Sequence, residues 1–131
     1  LDFFAPMSRP DLGLSEDSLN MVIRFFIIAL NMMENHWLAK NKFITGDLAT
    51  IADIAAYVEI DQLQTQFTNL YDFEPFPNVS RWLEDMTLLK GHDDSHLVLS
   101  ELGDISKTPP KIEDLMGANI KGLKHIASKT I

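Results

Sequence analysis

The run Thr50-Ile51-Ala52-Asp53 constrains this chain more than any other stretch of its 131 residues. Thr50 has the hydroxyl of an N-cap, and Asp53 stands three positions later, where its carboxylate reaches back to the amide of Thr50 while the cap hydroxyl meets the amide of Asp53. The helix opened in this way, Ile51 to about Gln64, carries apolar residues on nearly every side of a 3.6-residue wheel, so it is expected to be buried all round. End groups shut away from water must be satisfied from within the chain, and losing such a cap should cost on the order of 1 kcal/mol or more. Thr50 and Asp53 are therefore read as a structural cap and not as chemistry.

The remaining pattern is helical throughout, with no convincing strand. Leu1 to about Met7 reads as a helix end, followed by a loop punctuated by Pro6, Pro10 and Gly13. Ser15 or Ser18 opens a long helix to about Lys40, with Glu16 and Asp17 in its first turn. Leu19, Val22, Ile23, Phe26, Leu30, Met33 and Trp37 form one apolar stripe and Phe25, Ile28 and Met32 a second, which predicts packing on two sides. Pro77 suits the first turn of another helix through about Leu89, with Val79, Trp82, Leu83 and Met86 inward and Arg81, Glu84 and Asp85 outward. Gly91 ends it, and His92 to about Leu102 makes a shorter helix. Residues 1–103 thus read as a helical core, and 104–131 as a tail.

The tail differs in charge. Residues 1–103 carry six Lys and Arg against 16 Asp and Glu, whereas 104–131 carry five against three. After a breaker-rich linker from Gly103 to Pro110, Ile112, Leu115, Met116, Ile120, Leu123 and Ile126 recur at helical spacing, with Lys111, Lys121 and Lys124 left for solvent. A weakly basic amphipathic helix lying back on an acidic body is expected.

With 46% apolar residues, the chain can bury one core of ordinary domain size. A net charge of -8 argues against nucleic acid or an anionic membrane surface as partner. The absence of cysteine rules out a disulfide framework and thiol chemistry in this chain. The longest apolar run, Met21 to Met33, is broken by Arg24 and Asn31 and is too short to span a bilayer.

Candidate chemistry is sparse. His92 and His96 lie at i and i+4 beside Asp93 and Asp94, a spacing that can hold zinc or copper, but no further ligand cluster adjoins them and a solvated helix start is expected, with no metal. His36 and His125 read as packing or surface residues. Glu59 sits between Val58 and Ile60 in the capped helix, so its carboxylate needs a partner from Tyr57, Gln62 or a neighbouring helix. Phe25, Phe26, Met32, Met33 and Trp37 either line a cleft or, more in keeping with their spacing, form core.

Ile44-Thr45-Gly46-Asp47 ahead of Thr50-Ile51-Ala52-Asp53, then Phe76-Pro77-Asn78-Val79 with Trp82 four residues beyond Asn78, resembles the all-α C-terminal domain of the cytosolic glutathione transferases. Phe4-Ala5-Pro6, Glu59-Ile60 with Gln62, and Pro109-Pro110 before a helical tail are similar to the theta class in particular. The resemblance implies a bundle of five or six helices around the capped one, a cytoplasmic setting, and an electrophile pocket or lid drawn from Phe3, Phe4, Met7, Leu115, Met116 and Leu123. It further implies that the catalytic hydroxyl and the glutathione-binding groups belong to an N-terminal thioredoxin-like domain. No catalytic or cofactor-binding residue is then expected here, glutathione being the co-substrate of the complete enzyme, a homodimer acting on small apolar electrophiles in detoxification. Leu1 to Pro6 resembles the closing half of the domain's first helix, so a piece of a longer enzyme is expected. The same fold also serves as a non-catalytic protein-interaction module, which is the alternative.

Overall fold

The computed structural model describes residues 12–129. Phe3, Phe4, Met7 and the first expected helix end lie outside them. Helix α1 spans Glu16–Met32, α2 Ile51–Ile60, α3 Pro77–Thr87, α4 His92–Ser95, α5 Leu97–Leu102 and α6 Ile112–Lys129. Among the described residues there is no strand, only an isolated antiparallel bridge between Phe43 and Gly46 in the turn before α2. The all-α reading holds.

Ser15 is the cap of α1, its hydroxyl accepting the amide of Ser18 at 3.2 Å. The helix does not run on as α to Lys40 but passes at Met33–Trp37 into a π turn, which closes with the Leu38 amide on the Met33 carbonyl at 2.8 Å. Asparagine amides accompany the change: Asn31 donates to the Ile27 carbonyl at 2.9 Å and Asn35 to the Asn31 carbonyl at 3.0 Å. Side chains that bond to backbone carbonyls in this way compete with the regular ladder.

The core lies between α1, α2 and α3. Phe26, Leu30, Met33, Leu38, Tyr57, Ile60, Leu63, Val79, Trp82, Leu83 and Met86 are all buried there, joined by Phe43, Phe73 and Phe76 from the connecting loops. Of the two stripes on α1, the first supplies Phe26, Leu30 and Met33, whereas Phe25, Ile28 and Met32 stand about half exposed and Trp37 lies outside as well. The capped helix departs from expectation in the same sense. It buries Asp53, Tyr57 and Ile60 on one face and leaves Ile51, Ile54 and Val58 exposed on the other. A wheel shows that a helix is apolar all round, but not which neighbours reach each side. Glu59 is exposed, so its carboxylate needs no internal partner; the buried carboxylates are Asp53 and Asp61.

The capping box on α2 forms from both sides, and the Ala52 amide also reaches the Thr50 hydroxyl at 3.3 Å. Pro77 takes the first position of α3, and the start of that helix is held from a distance. The Glu34 carboxylate in the π turn accepts the amides of Asn78 and Val79 at 3.0 and 2.9 Å. Arg81 returns the contact, donating to the carbonyls of Leu38 and Asn41. Each helix thus satisfies end groups of the other. Gly91 adopts φ +87°, a left-handed conformation that glycine tolerates, and separates α3 from α4. The single expected helix from His92 to Leu102 is broken at His96 into α4 and α5.

The tail helix α6 lies on α4 and α5, but with a different face inward than its apolar spacing suggests. Ala118 and Gly122 are buried, Leu115 is half-buried, and Ile112, Met116, Ile120, Leu123 and Ile126 are exposed. Gly122 packs against the Val98 side chain, where a Cβ would come within 2.5 Å of Val98 Cγ2. Charge fixes this orientation: Lys121 pairs with Glu101 at 2.6 Å, and Lys129 and His125 meet Asp94 at 2.5 and 2.8 Å. Small residues and complementary charge thereby place the basic helix on the acidic body, and the apolar stripe is turned outward.

Two outcomes follow. Asp53→Ala should lose about 1–3 kcal/mol in chemical denaturation, and Asp53→Asn a comparable amount, because an amide NH2 would meet donors where the carboxylate meets them now. Gly122→Ala should cost about 1–3 kcal/mol by overpacking, and Val98→Ala in the same chain should restore most of it in thermal unfolding.

Candidate functional site

Asp53 is the polar centre of the core. Its side chain is shut off from solvent, and four donors converge on its two oxygens. The Ile44 amide reaches Oδ1 at 2.8 Å and the Trp82 indole Nε1 reaches the same oxygen at 2.9 Å, while the Thr50 amide and hydroxyl reach Oδ2 at 2.9 and 3.1 Å. Burial alone would raise the Asp53 pKa, but the amides of Ile44 and Thr50, the Trp82 indole and the Thr50 hydroxyl outweigh it and hold the carboxyl below the usual Asp value. The cap read from sequence is thus also a clasp joining the turn before α2 to the middle of α3. All four partners are committed to fixing the ionised side chain, which suits it to architecture and not to proton transfer.

The second polar cluster lies where α2 meets α4, and there the histidines are not the solvated helix start expected. His92 and His96 stack face to face with ring centroids 3.9 Å apart. His96 is 8% exposed, contacts the Asp61 carboxylate through Nε2, and sets Nδ1 2.6 Å from the His92 carbonyl oxygen. Phe67 stacks on the ring at 5.6 Å. His92 Nε2 meets the Tyr57 hydroxyl at 2.7 Å, and its Nδ1 meets Asp93 at 3.0 Å. Burial and the nearby Asp61 charge drive the Tyr57 pKa well above the phenol range, Asp93 adding to the effect. Tyr57 therefore keeps its proton and shares a hydrogen bond with His92 Nε2. His125, read from sequence as a packing or surface residue, meets Asp94 at 2.8 Å.

The other sequence candidates do not converge. Among Leu115, Met116 and Leu123, only Leu115 is half-buried. None of the three lines the cavity of about 440 Å³ that opens between the linker and α6, whose walls include Leu102, Ile105, Pro109, Pro110 and Ala118. A smaller apolar cleft of about 280 Å³ lies beside the histidines, between Ile54, Val58, Met86 and Leu89. The sequence signal that could have found the Tyr57–Asp61–His92–His96 cluster is its double i, i+4 spacing, since residues four apart share a helix face.

No group of three or more His, Cys, Asp or Glu side chains placed to hold a metal ion occurs among the described residues. All four ring nitrogens of His92 and His96 already have partners within the chain. Added zinc should accordingly leave the melting temperature unchanged and show no stoichiometric binding in calorimetric titration; a tight one-to-one complex lost in His96→Ala would contradict this.

No curated protein and no solved structure is matched by the chain. A family model does match: that of the glutathione S-transferase C-terminal domain, over residues 29–89. This span contains the π turn with Glu34, the capped α2 with Asp53, and α3 with Trp82, so that every long-range bond of the Asp53 clasp and of the Glu34 clamp lies inside it. Over residues 29–89, a little under half of the chain, the sequence is thus similar to the glutathione S-transferase C-terminal domain.

Proposed function

We propose that this chain supplies the C-terminal, electrophile-binding part of a theta-like glutathione transferase. In that reading a thioredoxin-like N-terminal domain binds glutathione and activates its thiol. The thiolate sulfur then forms a bond to an electrophilic carbon of a small apolar substrate, and the leaving group departs with the bonding electron pair. The residues described here would supply apolar walls, with the 104–131 tail as a lid and a homodimer as the working form in the cytoplasm. The theta-like assignment rests on the sequence resemblance at Phe4-Ala5-Pro6, Glu59-Ile60 with Gln62, and Pro109-Pro110.

The observation that carries this reading is the bare apolar face within and beside the family-matched span. Ile51, Ile54 and Val58 on α2, and Met21, Phe25, Ile28 and Met32 on α1, are all about half exposed or more. An acidic domain that leaves so many large apolar side chains outside presents surface suited to a docked domain and an apolar substrate. The outward stripe of α6, with Met116 and Leu123, extends the same argument to the lid.

The chain alone should show no transferase activity and no measurable glutathione affinity. Fused to a theta-type thioredoxin-like domain, it should support conjugation of small alkyl halides or epoxides, and removal of the chain from Lys111 onward should alter turnover or substrate range more than stability. A natural full-length protein that binds no glutathione in equilibrium dialysis would instead favour the interaction-module reading.

A further inference from the structure

We propose that the stacked His92–His96 pair, seated on Asp61, is a proton-operated latch that holds the unit formed by α4, α5 and α6 against the capped helix. The argument begins with valence. A backbone carbonyl oxygen can only accept, so His96 Nδ1, 2.6 Å from the His92 carbonyl, carries a hydrogen. An ionised carboxylate also only accepts, so Nε2 facing Asp61 carries one too. Both nitrogens protonated make His96 an imidazolium, buried against a carboxylate that is 1% exposed. His92 is held in the stack by the Tyr57 hydroxyl at Nε2 and by Asp93 at Nδ1. With the rings stacked 3.9 Å apart, a second positive charge would be repelled by the one on His96.

The pair joins parts of the chain 35 residues apart in sequence. On one side stand Tyr57 of α2 and Asp61 of the 3-10 turn that extends it; on the other stand His92 and His96, from which α5 and then α6 continue. The charged and titratable groups facing His96 are Asp61 and Tyr57 from the capped helix and its extension, and His92 and Asp93 from α4; Phe67 covers it from the intervening loop, and Lys90 lines the adjoining cleft. Burial by itself would lower the His96 pKa, but the bond to Asp61, the His92 carbonyl and the charges of Asp61 and Asp93 more than offset it and raise the value above that of an ordinary histidine. The sign follows from linkage. A folded-state value above the unfolded one makes the contribution complete below the ordinary histidine range, about pH 6.5, and lost as pH rises through the folded value. The latch is fully closed below the ordinary histidine range and opens as pH rises from there through the folded value. Deprotonation leaves the Asp61 charge buried without its cation, which favours release of α4 from α2.

Two measurements on the full chain test this. Histidine ring NMR should show His96 titrating above the ordinary histidine value of about 6.5. Amide exchange by mass spectrometry, corrected for intrinsic rates, should show protection over residues 92–129 falling as pH rises from the ordinary histidine value to that of the folded ring, while α1, α2 and α3 keep theirs. The fall should be about tenfold for each pH unit by which the folded value exceeds the ordinary one. Asp61→Asn and His96→Gln should each abolish the pH dependence and leave the tail unit at its alkaline level of protection. His125→Asn, which removes the separate contact to Asp94, should leave the transition in place. His96 titrating at or below the ordinary histidine value of about 6.5, protection of 92–129 indifferent to pH across that range, or a transition that disappears in His125→Asn alone would overturn the latch. The wild-type titration decides the matter even if Asp61→Asn fails to fold.

Discussion

Everything in the helical core depends on one ionised side chain in a place where water cannot reach it. Asp53 is tolerated there because four donors surround its two oxygens, two of them from residues distant in the chain. A buried carboxylate with an incomplete shell would be a liability of several kcal/mol. With a complete shell it becomes a constraint on geometry, since Ile44, Thr50 and Trp82 can satisfy it only if the turn, α2 and α3 are all in register. Trp82 is itself wholly buried and packs edge-to-face on Tyr57 at 5.8 Å, so the polar bond and the aromatic contact locate α3 twice over.

The same logic recurs in weaker form around the molecule. Glu34 and Arg81 exchange end-group contacts between the π turn and α3, and the Asp61–His96 pair ties α4 to the end of the capped helix. Each is a charged side chain from one helix answering unpaired or oppositely charged groups on another. The tail follows a different rule, resting on α5 through Gly122 and Val98 and steered by lysines onto acidic partners. Contacts of that second kind are screened by salt, whereas Asp53 is shielded from it.

Much of this architecture was legible because it is local. The cap at Thr50 and Asp53, Pro77 at a helix start, Gly91 as a break and the all-α class depend on residues within a few positions of one another. What could not be read was pairing at long range. Nothing in the spacing of Glu34 announces that its carboxylate will hold the start of α3 some 44 residues later, and nothing around Asp61 names His96. Periodicity also misdirected the inward face of α6. There, small Ala118 and Gly122 permit close approach, and the larger apolar residues, which dominate any hydropathy count, were left outside. Glu59 shows the converse: it stands exposed, because apolar neighbours in sequence are not apolar neighbours in space.

The π turn at Met33–Trp37 bears on how this chain can change length. A π turn holds one residue more than the α ladder, and the Glu34 side chain that clamps α3 sits inside it. Deleting that extra residue would return the stretch to the α ladder and remove the wide turn from which Glu34 reaches the amides of Asn78 and Val79. A change of length here is therefore felt at the start of α3, which also holds the Leu38 and Asn41 carbonyls through Arg81. The linker between Gly103 and Pro110 is anchored at its start, where the Ile105 amide meets the Thr68 carbonyl and the Asn69 side-chain amide meets Asp104 and Ser106, whereas the exposed stretch from Lys107 to Pro109 tolerates a change of length.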